Sequence, residues 1–364
     1  LSSCIGAVFA VAPLVASGDD AEPADSARAQ WRQPTALVLS QDGRWLYAAN
    51  RRSATLSAVD LQTHEAVDCR RIGGRPEAMA GLPDGRLVVA DADGDRLVVL
   101  RMRGREVLEQ TETPTGDEPR QIVASRTRGV VWTSLRSDRA LQAFDLDSRR
   151  ELYCSPLDFP PHCLALSPDE RIVLAADAFR GGVAAVDAAT GRVLATRTFP
   201  GTNIRGLAFE PGGASFIFAH QIISERSIID RELVRWGAFI TNNVRRVRMK
   251  VLLDPEADVV LASELHFVGD FGHGAGDPGR LLIPSTDAAI LCLSGVHEIG
   301  LDTHWPYRMT RLRVGRRPID AVVDAEHRRV YVANQFDDTI SVVDLKRREA
   351  AATISLGPRP AETA

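Results

Sequence analysis

The chain has 364 residues, 45% of them apolar and 25% charged, with a formal net charge of −4. This is the composition of a folded chain long enough for two average domains or one large all-β domain. Its 48 acids are interspersed among 44 bases, which excludes a nucleic-acid binder built on a concentrated basic surplus. Lys250 and Lys346 are the two lysines, so 42 of the bases are arginine, which reads as a composition bias of the genome rather than as 42 chosen anion contacts.

The first element is an apolar run of twelve residues, Ile5 to Ala16. It is shorter than the roughly 20 residues that cross a bilayer. The small residues Val15-Ala16-Ser17-Gly18 follow, then an acidic stretch rich in Pro and Ala. The pattern predicts an export signal over 1–17 that lacks its basic start, then a disordered linker over 18–32. Leu1-Ser2-Ser3-Cys4 spells a lipobox, but the apolar run follows Cys4 instead of preceding it. An uncleaved anchor and a plain disordered tail are the other readings. The cysteines are Cys4, Cys69, Cys154, Cys163 and Cys292, with no Cys-x-x-Cys and no haem-attachment Cys-x-x-Cys-His. They read as small buried hydrophobes, although an export compartment permits disulfides.

From Pro34 a unit recurs: Pro, an alternating apolar strand, a turn, a second strand ending in a polar residue, a third ending in Asp, and a fourth. In the first unit the strands include Ala36–Leu39, Trp45–Asn50 and Leu56–Asp60. Further units open at Pro76, Pro119, Pro161, Ile204, Pro278 and Pro318, in steps of 42, 43, 42, 43, 74 and 40 residues, and Pro360 closes the seventh. Asp42-Gly43, Asp84-Gly85 and Pro168-Asp169 supply tight-turn chemistry between strands. Four short strands per 40–45 residues make the blade of a β-propeller. The predicted fold is therefore all-β: one seven-bladed β-propeller over 33–360, four antiparallel strands per blade. An insertion over 221–276 in blade five accounts for the long step. Glu225 to Trp236 is the one stretch with a possible short helix. A parallel β-helix or open solenoid would use shorter repeats and capped ends.

Aligning the units gives one polar residue per blade near the end of the second strand: Asn50, Asp91, Ser134, Asp177, His220, Ser294 and Asn334. They are candidates for a ring on one face, at the channel mouth. The competing reading is that they satisfy turn backbone groups locally. The insertion carries Arg226, Arg231, Arg235, Trp236, Arg245, Arg246, Arg248 and Lys250, then His266, Asp270, His273 and Asp277. With His220, the last four are a candidate metal constellation, although no helical spacing enforces its geometry. The alternative is a Gly-rich lid or docking loop that uses Arg231, Arg235, Trp236, Asn242, Asn243 and Arg245. No Gly-x-Ser-x-Gly elbow and no phosphate-binding glycine motif occurs. The arginine pairs at 51–52, 149–150, 316–317 and 328–329 read as solvated loop faces.

Tyr331-Val332-Ala333-Asn334 with Thr339-Ile340-Ser341-Val342-Val343-Asp344 resembles the YVTN-type β-propeller repeat of exported bacterial and archaeal proteins. Trp45–Asn50 and Thr55–Asp60 match it loosely. Gly272–Pro278 and Ala351–Pro360 resemble exported bacterial proteins whose propeller is followed by a di-haem cytochrome c module. The resemblance implies that 361–364 begins a linker to such a module, or that the propeller's redox partner is another chain. Propellers of amine dehydrogenases and nitrous oxide reductase also sit beside redox centres, an analogy at the level of fold. The implied function is an exported, monomeric docking scaffold for a c-type cytochrome or a di-haem peroxidase-like module. Haem c would belong to that partner and not to this chain; neither nucleic acid nor a membrane span is implied. Two alternatives remain. One is an enzyme, either a lactonase-like hydrolase or the substrate-binding part of a redox enzyme, with the His and Asp set around a divalent metal or general base. The other is a propeller that binds sugars or the cell surface.

Overall fold

A computed structural model describes residues 30–177, 179–223, 240–268, 277–285, 288–302 and 309–359. The proposed signal, most of the linker, the possible helix at Glu225–Trp236, and Arg226, Arg231, Arg235, Trp236, Asp270, His273 and 361–364 lie outside the described residues. Seven sheets of four consecutive antiparallel strands are present. In blade one the strands are Pro34–Leu39, Trp45–Asn50, Thr55–Asp60 and Glu65–Arg71. The first strands of the other blades are Pro76–Gly81, Pro119–Ala124, Pro161–Leu166, Thr202–Phe209, Pro278–Ser285 and Pro318–Asp324. These first strands touch their counterparts in both neighbouring blades all the way round, so they surround the axis. The architecture is an all-β, seven-bladed propeller.

The apolar alternation makes each blade double-sided. Second and third strands such as Leu46–Asn50 and Thr55–Val59 are buried on both faces. Seven apolar clusters result, and each joins two neighbouring blades. The cluster between blades seven and one packs Leu37, Leu46 and Val59 against Tyr331, Ile340 and Ile354. The ring therefore closes by side-chain packing, and among the described residues no sheet mixes strands from the two ends of the chain. Polar ties reinforce this seam. Asp338, buried in blade seven, accepts the backbone N–H groups of Arg32 and Gln33. The fully buried Arg32 donates to the Pro358 carbonyl.

The repeated Asp at the end of the third strand is structural. The Asp60, Asp145, Asp187 and Asp344 carboxylates accept backbone N–H groups two or three residues on, which holds the turn to the fourth strand. The repeated Pro has an equally local cause. It opens an edge strand, where a missing N–H costs no ladder bond. Just after it the register slips in blades one, two, four and seven, leaving Thr35, Glu77, His162 and Ile319 as bulge residues outside the ladder.

The interval 221–276 is distributed rather than continuous. Ser215–Ile223 and Ile240–Arg248 are the second and third strands of blade five, and Glu264–Phe267 is its fourth. The hairpin continues three pairs beyond His220↔Asn243, to Ile223↔Ile240. It therefore rises past the rim on the face that carries the loops between second and third strands. A short helix, Met249–Leu253, lies on the opposite face and packs Val251 and Leu252 beneath Phe209 and Phe216. Among the described residues, no helix is long and apolar enough to cross a membrane.

Candidate channel-mouth site

Asn50, Asp91, Asp177 and Asn334 each pair with the opening proline of their blade, whereas in blades three and six Leu135 and Leu293 take that place, next to Ser134 and Ser294. All seven aligned polar residues are buried, none more than 3% exposed. Six have local partners. Asn50 donates to the hydroxyls of Thr55 and Ser57, and Asn334 repeats this with Thr339 and Ser341. Asp91 accepts from the backbone of Arg75 and Gly94 and from Arg96 Nε. Asp177 accepts the N–H groups of Phe179 and Arg180. Ser134 accepts from Gln121 N, and Ser294 donates to the Pro318 carbonyl. His220 differs: neither ring nitrogen has a hydrogen-bond partner among the described residues. It lies against Phe218, with ring centroids 5.0 Å apart. Burial first, then the Arg245 guanidinium, pushes its pKa down from 6.5 to about 3.

The described members of the candidate metal set are held apart. His220 shares a sheet face with Phe218 and looks toward blade four. His266 pairs with Val244, whose row faces blade six. Asp277 instead accepts from Asn203 and lies 3.8 Å from Arg317 Nη1. Among the described residues no group of three His, Cys, Asp or Glu could hold a metal. Asn242, Asn243 and Arg245 are buried residues of the third strand of blade five and not loop residues. Asn242 accepts from Gln221, Asn243 donates to Thr241, and Arg245 donates to Ser263 with its guanidinium 5.9 Å from the Phe199 ring centroid.

The structure assembles a different constellation at the channel mouth, from the start of the inner strands and the loops beside them. Glu77 Oε1 receives Arg75 at 2.5 Å, Arg120 at 2.7 Å and Arg51 at 3.2 Å. Glu118 Oε1 lies 3.5 Å from Arg136 and 3.6 Å from Arg75. His162 stands in the field of Arg120, Arg205 and Arg136, which come from blades three and five. Burial, reinforced by those three cations, pushes its pKa down to about 3. Arg205 donates through Nε to Asn203 Oδ1 at 2.6 Å and has no acidic partner among the described residues. The buried Nε of Arg120 has no hydrogen-bond partner among the described residues. Four guanidinium groups thus converge on Glu77 and Glu118, one of them, Arg75, also bonded to Asp93 at 2.7 Å, in a protein whose net charge is negative. The pairs Arg280–Asp320 and Arg317–Asp277 add no net charge.

Two exposed aromatic rings flank this mouth. Phe179 and Phe336, 52% and 46% exposed, follow the second strands of blades four and seven. Arg136 lies over the first ring at 5.3 Å and Arg317 over the second at 5.2 Å. Sequence reasoning missed this site. The available signal was the residue immediately after each phase-marking proline, which reads Glu77, Arg120 and His162 in blades two to four.

These features define a propeller with a cationic channel mouth. No protein-family model matches the chain, and no curated protein matches it. Among solved structures it is similar to a Kuenenia stuttgartiensis hydrazine synthase (TM-score 0.75, 19% identity, 87% of this chain and 97% of that one). It is also similar to a streptogramin B lyase (TM-score 0.65, 11% identity, 85% and 93%) and to a virginiamycin B lyase from Staphylococcus aureus (TM-score 0.61, 10% identity, 84% and 92%). At these identities the likeness is one of fold, and fold alone assigns no chemistry.

Proposed function

We propose that the protein is an exported binding and docking scaffold whose channel-mouth face seats an acidic c-type cytochrome or haem domain for electron transfer. One observation carries this reading: exposed Phe179 and Phe336, each covered by an arginine, lie on the same face as Arg51, Arg75, Arg120 and Arg136 gathered around Glu77 and Glu118, and as Arg205, which has no acidic partner among the described residues. Aromatic rings and arginines are the residue types that anchor interfaces, and a cationic surface steers an acidic partner into register. Haem would be held by the partner. Export is supported by the Ile5–Ala16 run, and fractionation of cells expressing the full-length protein tests that part.

Docking is tested by surface plasmon resonance, with the purified chain immobilised and an acidic c-type cytochrome in solution. Binding should weaken at least tenfold between low salt and about 0.3 M salt, with the change mostly in the association rate. Phe179→Ala with Arg136→Ala should abolish it without lowering the unfolding temperature. Salt-independent binding, or full binding by the double variant, would remove this face from the proposal.

A further inference from the structure

The arginines of the mouth are not equally engaged. Arg51 and Arg75 are held by Glu77, and Arg75 and Arg136 also reach Glu118. Arg120 donates to Glu77 through one terminal nitrogen, which also lies 3.9 Å from Glu118, while its buried Nε has no partner among the described residues. Arg205 has no acid at all among the described residues, and His162 between them has no hydrogen-bond partner there. Of the donors converging from blades three, four and five, Arg120 Nε is buried without a partner, while Arg205 and His162 are half-buried and open to a ligand. Buried polar groups are ordinarily satisfied, and guanidinium groups bind planar oxyanions through paired N–H donors.

We infer that the channel mouth between blades three and five is a binding site for a small multivalent anion, carrying carboxylate or phosphate groups, held by Arg120, Arg205 and Arg136. The blade geometry supports this. Arg120 and His162 stand at the same repeat position in consecutive blades, and Arg205 is the fourth residue of the next inner strand, Thr202–Phe209. Their side chains thus line one arc of the ring and not a single loop. The uncharged imidazole of His162 adds one donor and one acceptor, which suits an anion that also carries a hydroxyl group. Arg205 is further braced from behind, since Asn203, its hydrogen-bond partner, donates to Asp277 at 2.9 Å and to Gln221 at 3.0 Å. This inference does not depend on docking of a protein partner.

Isothermal titration calorimetry of the full chain with citrate, and separately with inorganic phosphate, tests it at constant ionic strength in chloride. One-to-one saturable binding of at least one probe is expected. Preference for citrate assigns a carboxylate ligand, and preference for phosphate a phosphorylated one. Arg205→Gln should weaken binding roughly tenfold or more, the loss of one charge-assisted contact. Arg347→Gln, on the opposite face beside Glu349, should leave it unchanged. Arg205 is the informative position because no buried acid loses its partner there; if that variant unfolds at a lower temperature, Arg136→Gln takes its place. Absence of saturable heat with both probes overturns the inference. So does binding by the Arg205 and Arg136 variants as tight as that of the unaltered protein.

Discussion

Acidification should destabilise this propeller through a histidine that takes no part in the proposed site. His220 is 1% exposed, its two nitrogens have no hydrogen-bond partner among the described residues, and Arg245 lies beside it. Gly201 closes over the ring so tightly that a Cβ there would sit 2.3 Å from Nδ1. The folded state therefore keeps the imidazole neutral down to about 3, while in the unfolded chain it charges near 6.5. A depressed folded pKa means that the unfolded state binds the proton first. The stabilising contribution is complete above 6.5 and is lost as the pH falls from 6.5 toward 3. At about 1.4 kcal/mol per pH unit, a descent to about pH 5 costs ~2 kcal/mol through this residue. Urea unfolding of the natural protein and of His220→Leu, each at about pH 7.5 and about pH 5, isolates the term. Every other titrating group is common to both proteins and cancels, so the variant should lose ~2 kcal/mol less than the natural protein over that interval. An equal loss in both proteins would mean that His220 gains its proton in the folded state, and the account of its burial would be wrong.

Three further outcomes follow from the same structure. Asp338→Ala strips the shared acceptor from two N–H groups at the seam between blades seven and one; it should cost about 2–4 kcal/mol in urea unfolding and speed proteolysis near residues 30–33. Asn50→Ala and Asn334→Ala should each cost ~2 kcal/mol, and by similar amounts, because the two side chains make the same pair of bonds to Thr and Ser hydroxyls. A large disparity in their unfolding free energies would show that the two networks are not equivalent. Burial raises the Cys163 thiol to about 12 and shifts Cys292 upward as well, so mass spectrometry should find both unmodified by iodoacetamide at about pH 8 until the chain is unfolded.

The fold was legible in the sequence because each repeated letter has a local cause. Pro34 and its counterparts open edge strands, and Asp60 and its counterparts hold turns. Neither role depends on the rest of the molecule, so both recur through most units; blade five lacks both, and the third strand of blade two ends at Arg103 instead of Asp. The site was less legible for a reason of geometry. Sequence proximity suggested that His266 and Asp277 join His220, but the strand register sends His220 toward blade four and the His266 row toward blade six. Asn242, Asn243 and Arg245 looked like loop residues because the long step in blade five hid a third strand that extends past the rim. Arg120, His162 and Arg205 are 42 and 43 residues apart. They become neighbours only when the ring closes.

The same closure explains why charge gathers at this mouth. Blade-to-blade contacts demand apolar faces, so the sheets cannot carry ions there without leaving them unpaired. The bulge after the opening proline is different, because its side chain leaves the ladder and reaches the next inner strand. Thr35 shows this with an uncharged residue: its hydroxyl donates to Ala49 and to Pro76 of the neighbouring blade. At the matching position Glu77 reaches Arg120 of the next blade. Substitution there changes what the mouth offers without altering the packing between sheets. The position is thus a site of chemical variation on a fixed frame, and in blades two to four this chain fills it with Glu77, Arg120 and His162.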